Sequence, residues 1–192
     1  QIDTTGNIIC TNGQIQSFGG QNGLYIKRTV SGTSSGYSLF GNNSRTWALE
    51  YNSDKFSIND HTAVNVSRLT IDDSGHIGIG VTPSAWPTNG DSRALQIGSG
   101  FAAYGRGSGD EDRGGIAVNY YSDGTNEKYI ADGHSNRIYM NDGNIDFQYA
   151  ASASAGDNLS FTSGIRMLAD GKVGINTVTP TGQITIKNTD DA

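Results

Sequence analysis

The sequence predicts an all-β protein with little or no helix, and three observations support this. Apolar residues alternate with polar ones in many short runs, the pattern of strands with one buried face. Asx-Gly dipeptides separate many of these runs and suit the positive φ angles of tight hairpin turns. Nowhere do apolar residues keep a helical spacing over three turns. The dipeptides include those that begin at Asn12, Asn22, Asp123, Asp132, Asp142 and Asp170.

The alternation places the strands in order along the chain. In the first clear run, Trp47, Leu49 and Tyr51 share one face, and Phe56 and Ile58 do so in the next. A period of two puts alternate side chains on the same face of a sheet. We therefore predict short strands joined by tight turns. The runs occupy residues 47–51, 55–59, 76–81, 116–120, 145–149 and 183–188.

The composition indicates that one chain alone lacks a full core. Leu, Ile, Val and Phe make up about one residue in five, which is at the edge of what a folded chain needs. Ile dominates over Leu, and the apolar residues are well patterned, so disorder is not expected. A core that is completed by neighbouring chains would resolve the deficit.

Charge and residue usage exclude several functions. The formal net charge is −6 and the sequence pI is near 4.8, so the surface should repel the phosphates of nucleic acids. The apolar runs are too short to span a bilayer. Cys10 is the single cysteine and cannot form an internal disulfide, and the three histidines are scattered. The first residue is not Met, so we expect a fragment or a processed piece of a longer chain.

A repeated stretch organises the sequence. "RLTIDDSGHIGIGVTP" at residues 68–83 returns as "GIRMLADGKVGINTVTP" at residues 164–180. A fainter copy, "IDTTGNIIC", occupies residues 2–10, and a strand-like phrase follows each copy, at residues 24, 95 and 184. A motif that recurs is a building unit more often than an active site. The aligned pairs are Ile71 with Met167, Gly75 with Gly171, Ile77 with Val173, Gly78 with Gly174, Ile79 with Ile175 and, after one inserted residue, Pro83 with Pro180.

The repeat predicts β modules in tandem, each closed by the same hairpin connector. Because its period varies, the chain is not a regular solenoid. "PSAWPTNGDSR" marks the expected joint between two modules. The predicted units are residues 1–23 (end of a preceding module and its connector), 24–83 (module one), 84–94 (joint), 95–180 (module two) and 181–192 (start of the next module).

These residues resemble a known class of protein. "LTIDDSGHIGIGVTPSAW" followed by "ALQIG" resembles the connector of bacteriophage tail fibres and tailspikes. "YYSDGTNEKYIADG" followed by "FQYAASASAGDNLSFTSGIRMLADGKVGINTVTP" is similar to a module of marine phage fibres. The likeness is dense from residue 67 to 180 and weak before residue 45.

The resemblance implies an elongated homotrimeric fibre segment in the virion, in which three chains share each core. It also implies contacts with other tail proteins and with a glycan of the host surface. In such proteins a self-cleaving chaperone domain often follows at the C-terminus. The connector residues Ile77, Ile79, Val173 and Ile175 are then the candidates for the trimer core.

Receptor contacts are expected in the parts that do not repeat. The candidates are Tyr104, Arg106, Asp110, Asp112 and Tyr121, since exposed aromatic rings stack on sugars. Asp110, Glu111 and Asp112 could also offer oxygen ligands to calcium. Their spacing does not match an EF-hand, so a solvated acidic loop is the preferred interpretation. Tyrosines that fill gaps between strands are the alternative to sugar contacts.

We predict no catalytic residue, cofactor or essential metal. Asp72 and Asp73 could act as a carboxylate pair in glycoside cleavage. Their recurrence in the connector favours turn formation through hydrogen bonds to the backbone instead. The leading hypothesis is a structural and adhesive segment of a phage tail fibre. The alternatives are a tailspike enzyme that depolymerises surface polysaccharide and a carbohydrate-binding adhesin that is not from a phage.

Overall fold

A computed structural model describes residues 37–41, 44–52, 54–62, 66–87, 92–107, 109 and 111–188. The described residues contain no helix, which confirms the all-β prediction. The first copy of the repeat and the strand-like phrase at residue 24 lie outside these ranges. The strands are β1 (Tyr37–Gly41), β2 (Thr46–Asn52), β3 (Lys55–Asp60), β4 (Val66–Ile71), β5 (Ile77–Ile79), β6 (Ser92–Ile97), β7 (Phe101–Arg106), β8 (Gly114–Val118), β9 (Tyr121–Ser122), β10 (Glu127–Lys128), β11 (Gly133–Asn141), β12 (Asn144–Ala153), β13 (Thr162–Met167), β14 (Val173–Ile175) and β15 (Ile184–Ile186).

Thirteen of these strands form one sheet that follows chain order. Each strand from β1 to β8 pairs with the next, β8 pairs with β11, and β11 to β15 continue the series. Strands β9 and β10 form a separate hairpin. Most neighbours are antiparallel, but β5 and β6 are parallel, and so are β14 and β15. A tight turn can join antiparallel neighbours, as between β11 and β12, whereas each parallel pair needs a connection that crosses over the sheet.

The Asx-Gly turns lie where the sequence pattern predicts that one strand ends and the next begins. Asp142 and Gly143 have φ angles of 50° and 76° and join β11 to β12 as a two-residue hairpin turn. The turn at Asp123 is longer, and its carboxylate oxygen Oδ1 accepts the N–H groups of Thr125 and Asn126 at 2.8 and 2.6 Å. The dipeptides at Asn12 and Asn22 lie outside the described residues.

The two connectors that the sequence aligns have the same local structure. In the first, β4 and β5 form a hairpin in which Leu69 opposes Ile79, and β6 then pairs with β5 in parallel. In the second, β13 and β14 form a hairpin in which Ile165 opposes Ile175, and β15 is parallel to β14. The turn glycines Gly75 and Gly171 have φ angles of 81° and 84°, the left-handed region that favours glycine. Aligned residues thus occupy equivalent positions.

The connection between β5 and β6 overlaps the predicted joint, residues 84–94, whose last three residues belong to β6. It carries Trp86, which is only 3% exposed and packs against the sheet. His76 holds the connection in place, because its Nδ1 accepts the N–H of Ala94 and its Nε2 donates to the carbonyl of Pro87 at 3.0 Å. The segment therefore covers part of the sheet.

The two faces of the sheet differ in chemistry. One face, which we call the apolar face, carries aliphatic and aromatic side chains that are partly exposed to solvent. The opposite face, which we call the cover face, carries small and polar side chains such as Ala102, Ala117 and Gln96. Aromatic side chains from the connections pack over it. The buried hydrophobic residues of this cluster are Trp86, Ala94, Ala102, Ala117, Tyr120, Tyr129, Ala150 and Leu159.

Candidate functional site: an apolar sheet face and an aromatic pocket

The apolar face contains an unbroken row of hydrophobic side chains that crosses twelve strands. Each member opposes the next in the strand register, and every member is aliphatic or aromatic. Strands lie about 4.8 Å apart, so the row is about 50 Å long, at right angles to the strands. The row consists of Tyr51, Phe56, Ile71, Ile77, Leu95, Ala103, Ile116, Ile138, Phe147, Ile165, Ile175 and Ile186.

Shorter rows flank the central one. Ile79 opposes Ile97 in one of them, and Val173 opposes Ile184 in the other. All four predicted core candidates therefore lie on the apolar face, with Ile77 and Ile175 in the central row. Hydrophobic side chains on the apolar face are unusually exposed. Ile79 and Ile116 are each 42% exposed in the single chain, and Phe147 is 48% exposed. A contiguous apolar surface of this kind is typical of interaction sites.

A groove of about 430 Å³ lies on this face. Phe101, Ile116 and Val118 form one side of it, and Phe147 and Ile165 form the other. The apolar face is therefore contoured rather than flat, which favours side chains that interlock with a matching surface.

An aromatic cluster lies on the opposite side of the sheet. The ring of Trp86 is 5.8 Å from the rings of both Tyr104 and Tyr120, and it meets Tyr120 edge-on. Ala102 and Ala117 are almost completely buried, because their small side chains let the rings approach the sheet closely. The cluster thus gives this face a core within one chain.

A buried arginine completes the cluster. The Arg137 side chain is only 8% exposed, and its guanidinium lies 4.0 Å from the centre of the Phe161 ring and 4.4 Å from that of Tyr139. It donates to Glu127 and, at 2.6 Å, to Gln148. The pair of charges with Glu127 offsets the cost of burying the guanidinium.

Beside this cluster is a polar pocket of about 180 Å³. Trp86, Tyr104 and Tyr120 contribute aromatic rings to its lining, and Ser92 and Glu127 contribute polar groups. The Ser92 Oγ is buried without a hydrogen-bond partner among the described residues, and the buried Tyr104 hydroxyl interacts with Tyr120 and Arg137. Burial raises the pKa of the Tyr104 and Tyr120 hydroxyls, so both are protonated at neutral pH and can donate.

The predicted receptor contacts are only partly brought together. Tyr104 and Arg106 both line the pocket, and the ring of Tyr121 is 6.4 Å from that of Trp86. Asp112 is exposed in the turn between β7 and β8. Asp110 lies outside the described residues.

Sequence reasoning missed other members of the pocket. Trp86 lies in the predicted joint, and Ser92 and Glu127 stand in no motif. A signal existed for Trp86, because a tryptophan next to Pro87 in a polar segment needs a burial site. No pattern in the sequence marks Ser92 or Glu127.

The remaining candidate motifs serve local structure. Asp72 Oδ1 accepts the N–H groups of Ser74 at 3.0 Å and His76 at 2.8 Å, as the turn interpretation predicts.

In the part of the chain that is described, no three His, Cys, Asp or Glu side chains are grouped as metal ligands. Nor do the described residues include a helix long and apolar enough to cross a membrane.

No family model matches the sequence, and no curated protein is significantly similar to it.

Proposed function

We propose that this chain is a structural and host-adhesion segment of a bacteriophage tail fibre, in which three copies pack their apolar faces around a common axis. The row of apolar side chains from Tyr51 to Ile186 carries this proposal, together with the sequence resemblance. A surface of this length is unfavourable in water at about 25 cal/mol per Å² of exposed apolar area. Two further copies of the chain would cover it.

The apolar face is narrow at the two connectors, which favours three copies over two. Strand β5 has three residues, and only its first and last, Ile77 and Ile79, point to this face. The same is true of Val173 and Ile175 in β14. Two narrow ribbons stacked face to face would leave the long sides of their core open to water. Three ribbons arranged as a triangular prism enclose the core on every side.

The direction of the row fits a fibre. Strands that lie across the row allow the apolar core to extend along one axis as strands are added. A threefold axis parallel to the row would then give a shaft whose outer surface is the cover face. Loops and pockets of the cover face would be displayed to the host.

The molecular mass in solution tests the proposal. Light scattering on the purified chain is expected to give three times the single-chain mass of 20.3 kDa, with circular dichroism typical of β-structure. A stable mass of one chain with the same spectrum would contradict the shared core, and a mass of two chains would contradict the prism. Antibodies raised against the segment should label the tail fibres of the phage that encodes it.

A further inference from the structure

We infer that the two long sides of the apolar face fit each other, so that adjacent copies run in the same direction at the same height and exchange Met140 and Phe101. This inference rests on the proposed trimer and gives its interface a direction and specific contacts. The flanking row that we call the Phe101 side contains Ile97, Phe101, Val118, Asn136 and Tyr149. The opposite flanking row, which we call the Gly105 side, contains Arg93, Gly105, Gly114, Met140 and Ile145.

The groove of the apolar face reaches the Phe101 side, where Val118 and Tyr149 lie on either side of Asn136. Asn136 belongs to β11, and the same strand carries Met140 on the Gly105 side, where Met140 is 44% exposed. Because the strands lie across the row, both residues have the same height along the proposed axis. A neighbour related by that axis therefore presents Met140 to the groove, and a flexible Met side chain fills irregular apolar gaps well.

The Gly105 side has a hollow of its own, with a volume of about 420 Å³. Gly105 and Gly114 line it without side chains, and Arg93 and Met140 lie beyond them in the same row. Gly105 belongs to β7, which carries the exposed ring of Phe101 on the other long side. The hollow of one copy is thus at the height of a projecting ring in the next copy.

The charge at the hollow agrees with an aromatic occupant. Arg93 is exposed and lines the hollow, and its Nη1 donates to the carbonyl of Ser92 at 2.8 Å. A guanidinium that is covered by a neighbouring chain needs further partners. The face of the Phe101 ring supplies one, since aromatic rings attract cations.

This complementarity selects the direction of the neighbour. In a trimer of copies that run in the same direction, the Phe101 side of each copy meets the Gly105 side of the next. A neighbour that ran in the opposite direction would bring two like sides together. Phe101 would then have no hollow opposite it, and the groove would not receive Met140.

The test is a pair of substitutions that compensate across chains. Gly105→Leu fills the hollow, and nothing lies within 4 Å of a Cβ at Gly105, so the single chain can hold the leucine. By light scattering at decreasing concentration, the trimer of this variant should dissociate at a chain concentration about tenfold higher than the parent, or more. Adding Phe101→Ala should recover most of the loss, because the smaller residue leaves room for the leucine. The two positions are about 13 Å apart along one strand, so they can compensate only between chains.

Gly100→Leu is the matched control. Gly100 lies in the turn between β6 and β7, and it too has nothing within 4 Å of an added Cβ, so this variant should dissociate like the parent. Parental dissociation of Gly105→Leu, or no recovery in the double variant, would overturn the fit of the two sides and leave the shared core standing. Failure of the proposed function would be separate, since the parent itself would then have the mass of one or two chains.

Discussion

Gly78 and Gly174 occupy the same position in the two connector hairpins and face the same obstacle. A Cβ atom added to Gly78 would lie 2.1 Å from the carbonyl oxygen of Val81, and one added to Gly174 would lie 2.3 Å from that of Thr177. Neither distance is compatible with a side chain. The chain bends sharply back toward each hairpin, and glycine is required there for space rather than for its φ angle.

The first prediction follows from this contact. Gly78→Ala and Gly174→Ala should each destabilise the protein by about 1–3 kcal/mol, because the bend must open to admit a methyl group. Denaturant unfolding of the assembled protein measures the loss. Gly100→Ala is the control, since nothing lies within 4 Å of a Cβ at that position. Equal stability of Gly78→Ala and Gly100→Ala would contradict the steric explanation.

Sequence patterning located several strands, but it missed β7 and β11 and did not show how all of the strands pair. Period-two alternation located strands such as β2, β12 and β15, because each has one face in contact with apolar neighbours. The parallel pairing of β5 with β6 was not predicted. Alternation reports which face of a strand is buried, whereas strand direction depends on the path of the connection. That path is set by long-range contacts such as the bond from His76 to Pro87.

The candidate site was predictable only in part. The four core candidates share the apolar face because the two hairpins have the same register, in which Ile77 is equivalent to Val173 and Ile79 to Ile175. The pocket depends on the approach of β10, β11 and the Trp86 connection. Arg137 and Glu127 are ten residues apart, and their contact arises from folding of the intervening loop rather than from a motif.

The second prediction concerns the apolar face. Ile79 is 42% exposed in one chain, so Ile79→Asp should cost a single chain little. Three copies around an axis would bury three unpaired carboxylates, which is strongly unfavourable. Light scattering should therefore show loss of the trimer. Ser160→Asp, at an exposed loop position, should leave the mass unchanged. A trimer of Ile79→Asp with parental melting behaviour would place the interface elsewhere.

The third prediction is a loss of stability in acid through Asp60. The hydrogen bonds from Thr62 and from Arg68 lower the pKa of this carboxyl from 3.8 to about 2. As the pH falls, the unfolded chain takes up the proton first, at about pH 4. The stabilisation from Asp60 is thus complete above about pH 4 and is lost as the pH falls toward 2.

Melting curves between about pH 5 and pH 2 measure this effect. Asp60→Asn has no carboxyl to protonate at this position, so its stability should fall less steeply with pH than that of the parent. The variant should already be less stable at neutral pH, since the ion pairs from Arg45 and Arg68 to Asp60 are gone. Identical pH slopes for the two proteins would contradict the shifted pKa of Asp60.

The fourth prediction contrasts a buried ion pair with an exposed one. Asp146 is 1% exposed and accepts three hydrogen bonds of 2.7 Å, two from Arg166 and one from Ser163. Asp146→Ala should cost about 2–4 kcal/mol, because both partners lose their acceptor. Lys172→Ala removes the exposed pair with Asp170 and should change stability little. Similar denaturation midpoints for the two variants would contradict a structural role for Asp146.

The last prediction separates a turn residue from a catalytic one at Asp72. Its Oδ1 accepts two backbone N–H groups, and an amide oxygen can accept them equally well, so Asp72→Asn should melt close to the parent. Asp72→Ala has no acceptor and should lose about 1–2 kcal/mol. A carboxylate that cleaves glycosides must exchange a proton or attack the sugar, and asparagine can do neither. If Asp72 only holds the turn, capsular polysaccharide and lipopolysaccharide fragments should give no new reducing ends with the parent protein. Cleavage by the parent that disappears in a correctly assembled Asp72→Asn variant would make the chain a depolymerase and Asp72 its catalytic residue.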